Sequence, residues 1–88
     1  MHFYITIKHQ NQNIRLKVVK VLLNNEMERF LISARNGHFV IQGNRPLLQS
    51  RGLKHKKILW KVVEGGYDRP YILEQITKAL ETYLRKNE

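Results

Sequence analysis

Glu28-Arg29-Phe30-Leu31-Ile32-Ser33-Ala34-Arg35-Asn36-Gly37-His38-Phe39-Val40-Ile41-Gln42 is the stretch that decides the fold of this chain. Two runs rich in aromatic and β-branched residues flank Asn-Gly, and both members of that dipeptide tolerate the positive φ of a two-residue type I′ turn. A loop of Asn36 and Gly37 pairs Arg35 with His38, Ala34 with Phe39, Ser33 with Val40 and Ile32 with Ile41. Phe30, Ile32 and Ala34 then share one face with Phe39 and Ile41, while Arg29, Ser33 and Arg35 share the other with His38. Turn chemistry and alternation agree on a hairpin of strands within 28–35 and 38–42.

Upstream, residues 3–8 alternate Phe3, Ile5 and Ile7 against Tyr4, Thr6 and Lys8, the period of a strand with one buried face. His9 to Asn13 is polar and turn-prone. A second strand within 14–23 starts with Ile14, Leu16 and Val18 in phase, but Val19, Val21 and Leu23 fall out of it. A strand changes face only with an extra residue, so a β-bulge or bend is predicted near Val18-Val19. Asn24-Asn25-Glu26 makes the next turn.

Downstream, segment 44–57 carries Arg45, Arg51, Lys54, Lys56 and Lys57 and no acid. Asn44 suits the cap of one helical turn through Leu47 and Leu48 that ends at Gly52, and a plain loop that tucks those leucines underneath fits equally. Residues 58–64 read as the last strand, with Ile58, Trp60 and Val62 inward and Trp60 the largest core residue. Gly65-Gly66 breaks it. Asp68 as N-cap and Pro70 in the first turn open a helix over about 69–86, where Ile72, Leu73, Ile76, Leu80, Tyr83 and Leu84 form one stripe. Glu74–Lys78 and Glu81–Arg85 are i,i+4 pairs in the favourable order.

The fold expected is α+β: one domain over 1–88, a small antiparallel β-meander of four or five strands, with a single C-terminal amphipathic helix packed on one face. One helix covers about three strands' width, so the opposite face stays open or receives a second copy of the chain.

Composition narrows the function. The 88 residues include 16 Lys and Arg against seven Asp and Glu. Residues 1–61 hold twelve basic and two acidic side chains, and residues 62–88 hold four and five. The excess positive charge therefore lies in the sheet layer, as for a polyanion-binding surface. No cysteine is present, which excludes disulfides and thiolate chemistry and points to an intracellular, cytoplasmic home. Apolar runs reach only three residues, so no membrane segment is expected. His2, His9, His38 and His55 lack ligand spacing and adjacent carboxylates, and no nucleophile–base pair is evident; neither enzyme activity, a metal nor a cofactor is expected.

Two binding functions remain. Lys8, Arg15, Lys17, Arg29, Arg35 and Lys61 on the open face, extended by Arg45, Arg51, Lys54, Lys56 and Lys57, would neutralise the phosphates of RNA, DNA or another polyanion, with Tyr4 stacking a base. The alternative is a homodimeric interaction domain that uses Leu31, Val40, Leu59 and Val63 on the uncovered face.

Overall fold

The computed structural model describes residues 2–35, 37–53, 55–65 and 70–87. Five strands, β1 (His2–His9), β2 (Gln12–Leu23), β3 (Glu28–Ala34), β4 (Gly37–Gly43) and β5 (Trp60–Glu64), form one antiparallel sheet in chain order. A short helix α1 (Arg45–Ser50) lies between β4 and β5, and α2 (Pro70–Lys86) closes the fold. The expected α+β meander with a C-terminal helix is thus present.

Alternation sends Phe3, Ile5, Ile7, Leu16, Val18, Phe30, Ile32 and Ile41 to one face, and these are buried against Ile72, Ile76, Leu80 and Leu84 of α2. The helix repeats its apolar residues every fourth position, so this stripe stays on the sheet side along its length. It runs antiparallel to β1. The Lys8 backbone N–H donates to Gln75 Oε1 at 3.2 Å, and Phe3 stacks on Tyr83 with centroids 3.8 Å apart. Glu74 and Lys78 form the expected pair at 3.1 Å, whereas Glu81 and Arg85 make no ion pair among the described residues.

The β3–β4 hairpin departs from the expected register. Ala34 pairs with Gly37, Ser33 with His38, Ile32 with Phe39 and Phe30 with Ile41, so the connecting pair is Arg35-Asn36 and not Asn36-Gly37. Asn36 itself lies outside the described residues. The shift is two residues, which preserves every face. Its physical reason lies at the other end of the hairpin. This register sets Glu28 opposite Gly43 and brings its carboxylate to Arg45, while the β4–β5 pairing puts Gly43 beside Trp60, whose ring would sit 2.7 Å from a Cβ at residue 43. Only glycine leaves room there for the inward indole. Trp60 faces inward as expected but is half-buried, packed against the edge of the core and 6.2 Å from Phe30, so Phe30 is the largest fully buried side chain among the described residues.

The bulge in β2 also lies elsewhere. Pairing with β3 slips between Lys20 and Leu22, leaving Val21 as the extra residue. Val19 keeps phase and points to the open face, because Leu31 and Val40 wait there beside it. Lys20 takes the inner position, with its ammonium 3.4 Å from Glu28 and 5.6 Å above the Phe30 ring.

Segment 44–57 is helical in part, and its cap differs from expectation. The Asn44 side chain makes no cap hydrogen bond; its Oδ1 accepts the Leu59 N–H at 2.9 Å and ties the two ends of the segment together. Gly52 ends α1 at φ +69, with Leu53 N–H donating to Leu48 O and Gly52 N–H to Gln49 O, the paired bonds of a Schellman ending. Ile58 precedes β5. The proposed N-cap Asp68 and the start at Arg69 lie outside the described residues.

The β1–β2 turn consists of Gln10 and Asn11, both at positive φ (51° and 62°) and flanked by the His9–Gln12 pair. L-residues other than glycine and asparagine strain in this conformation. Changing Gln10→Asn and Asn11→Gly together is expected to stabilise the chain by about 1 kcal/mol. A raised urea midpoint checks this; a lowered one would contradict the turn.

Candidate functional site

The face opposite α2 is built in rows across the strands. Tyr4, Lys17, Ser33 and His38 are consecutive partners, as are His2, Val19, Leu31, Val40 and Glu64. Thr6 pairs with Arg15 on one side of these rows, and Leu22, Arg29, Gln42 and Lys61 form the row on the other. Strands about 4.8 Å apart make a four-strand row about 14 Å long. An apolar middle, Val19–Leu31–Val40, is therefore bordered by cations on both sides. Glu64 is the one carboxylate in the rows, at the β5 margin.

Two cations on this face are held in place. The Arg15 guanidinium lies 3.9 Å from the centroid of the exposed Tyr4 ring, a cation–π contact that fixes both side chains. Arg29 Nε donates to Gln42 Oε1 at 2.8 Å. The His2 ring meets Tyr4 edge-on at 5.9 Å. Lys8 and Lys17 are exposed on the same face.

The remaining candidates do not join this surface. Arg35 is exposed at the hairpin tip and Arg51 at the end of α1. Lys54 lies outside the described residues. Arg45, Lys56 and Lys57 line a cleft of about 430 Å³ with Glu81, Leu84 and Arg85 of α2. Because α2 covers the core face, this cleft opens on the helix side of the sheet. Sheet cations and loop cations thus form two separate groups.

Arg45 is anchored inward. Its Nε donates to Glu28 Oε1 at 2.6 Å and its Nη2 to Oε2 at 3.0 Å, while Lys20 approaches from the other side. Glu28 has no exposed surface. No local pattern in the sequence marks this acid, because its partner Arg45 lies seventeen residues further along the chain. Among the described residues, no three His, Asp or Glu side chains converge in a way that could hold a metal ion. No described helix is long and apolar enough to cross a membrane.

No family model, curated protein or solved structure matches the chain.

Proposed function

We propose that this chain is a small non-enzymatic module that binds single-stranded nucleic acid across its open sheet face. The observation that carries the reading is the Tyr4–Arg15 stack beside Lys17, on a face whose apolar middle row is bordered by cations. Bases resting on Tyr4 and the Val19–Leu31–Val40 row would bring their phosphates to Arg15 and Lys17 on one side and Arg29 and Lys61 on the other. Tyr4 remains exposed with the Arg15 guanidinium and the His2 ring against it, which leaves aromatic surface for a base. A chain without cysteine suits a reducing compartment, and we place the module in the cytoplasm with RNA or DNA as its partner.

The test is a titration of fluorescent single- and double-stranded oligonucleotides at about 50 and 200 mM salt. Wild-type affinity is expected to fall by more than tenfold over that range, with single strands preferred. Arg15→Gln/Lys17→Gln should weaken binding and reduce the logarithmic salt slope by about 1.4, the share of two phosphate contacts on a single strand. Absence of binding at the lower salt sinks the reading.

A homodimer through the same face is the second reading, favoured by the aligned Val19, Leu31 and Val40. Its electrostatics are poorer, since face-to-face association brings Arg15, Lys17, Arg29 and Lys61 toward their own copies. Sedimentation in the same buffers separates the two: a dimer mass with no oligonucleotide binding selects the dimer.

A further inference from the structure

The cleft on the helix side carries chemistry of its own, independent of the open sheet face. Its walls are ordered from three directions. Arg45 is clamped to buried Glu28, the Asn44–Leu59 hydrogen bond closes the loop, and the Leu53–Leu48 and Gly52–Gln49 bonds fix the end of α1. Leu48, Ile58 and Leu84 supply its apolar surface. Lys56 and Lys57 from the loop and Arg85 from α2 bring positive charge to its rim, and none of the three has an ion pair among the described residues. Glu81 contributes one carboxylate and does not close the ion pair with Arg85 that its helical spacing offers. The net charge of these four groups is +2.

We infer that this cleft binds a nucleoside 5′-phosphomonoester, either a free mononucleotide or the phosphorylated end of a strand. A phosphomonoester carries close to two negative charges at neutral pH, which matches the cationic rim. The volume of about 430 Å³ falls in the range of small-molecule sites and exceeds what a phosphate alone would fill. Leu48, Ile58 and Leu84 offer contact to a planar base. Glu81 is an acceptor for a sugar hydroxyl or an exocyclic amine, groups that a nucleoside has and inorganic phosphate lacks. Lys56 and Lys57 reach the phosphate from one wall and Arg85 from the other, so binding would join the loop to the end of α2.

Calorimetric titration of the full chain with adenosine monophosphate, adenosine and inorganic phosphate at low salt tests the site. Saturable binding of the monophosphate is expected, about tenfold or more tighter than either fragment. Lys56→Gln/Lys57→Gln, and Arg85→Gln as a separate variant, should each weaken it by about tenfold. Arg15→Gln/Lys17→Gln on the sheet face should leave it unchanged, so failure here and failure of the sheet-face reading are distinguishable. All these side chains are exposed, and circular dichroism melts should match wild type. A 5′-phosphorylated pentanucleotide that binds tighter than the monophosphate, with its 5′-hydroxyl counterpart losing the cleft variants' effect, assigns the site to strand ends; the reverse order assigns it to free nucleotide. No saturation by about 5 mM monophosphate, equal affinity for inorganic phosphate, or loss of binding in the sheet-face variant overturns the inference.

Discussion

Glu28→Ala is expected to destabilise the chain by about 3–5 kcal/mol, because it removes one partner of a buried ion pair. The Glu28 carboxylate has no exposure to water and is bound by Arg45 at 2.6 and 3.0 Å and by Lys20 at 3.4 Å. Its removal leaves two cations facing one another, with side chains only 17% and 23% exposed. Arg45 also joins α1 to the sheet, so α1 should loosen in the same variant. A domain of this length has stability near the lower end of roughly 5–15 kcal/mol, and most of it would be lost. Urea denaturation measures the effect. The triple change Lys20→Met/Glu28→Leu/Arg45→Met should restore stability to within about 1–2 kcal/mol, because it removes the unpaired charges along with the pair. An unchanged midpoint for Glu28→Ala would show that the three side chains are not coupled.

Trp60→Ala comes next, at about 3–5 kcal/mol. The indole fills the space over Gly43 and reaches Phe30, so truncation leaves a cavity at the β4–β5 margin. Gly43→Ala attacks the same contact from below: its Cβ would lie 2.7 Å from Cζ3 and 2.9 Å from Cε3 of the ring. The double variant should therefore cost clearly less than the two singles added together. Trp60→Phe should lose far less than Trp60→Ala. It keeps an aromatic ring against Phe30, and it deletes an indole N–H that is buried without a hydrogen-bond partner among the described residues. Thermal melts rank the variants, and an unchanged midpoint for Trp60→Ala would place the ring outside the core.

Much of this fold is legible in the chain because alternation survives local error. The β3–β4 register differs from the Asn36-Gly37 expectation by two residues, yet both registers put Ile32 and Ile41 inward. Side-chain pattern alone cannot separate registers that differ by two; the clamp of Glu28 on Arg45 does, and it joins residues seventeen apart across the end of the hairpin. The bulge was misplaced for the opposite reason. Hydrophobicity alone predicts Val19 inward, but Val19 belongs with Leu31 and Val40 on the open face, and a lysine occupies the inner position because an acid is buried beside it. The sheet-face candidates Tyr4, Arg15, Lys17, Arg29 and Lys61 follow from period two and are found on one face. The division of the loop cations from them does not follow, since periodicity says nothing about the side on which a loop packs. That choice is made by Arg45 reaching Glu28 and by Asn44 tying down Leu59, both contacts between residues distant in sequence.

The strand order has a kinetic consequence. Each of β1 to β5 pairs with its neighbour in sequence, so the sheet can grow strand by strand, with short closures from β1 to β4 and a longer one through α1 to β5, a topology that favours rapid assembly. The helix is the exception. It returns to the first strand, joining Gln75 to Lys8 across 67 residues. During synthesis the apolar face of β1 and β2 is consequently complete long before the segment that shields it exists. The growing chain passes through a stage with Phe3, Ile5, Ile7 and Leu16 uncovered, and docking of α2 is the step that ends its exposure to misassociation.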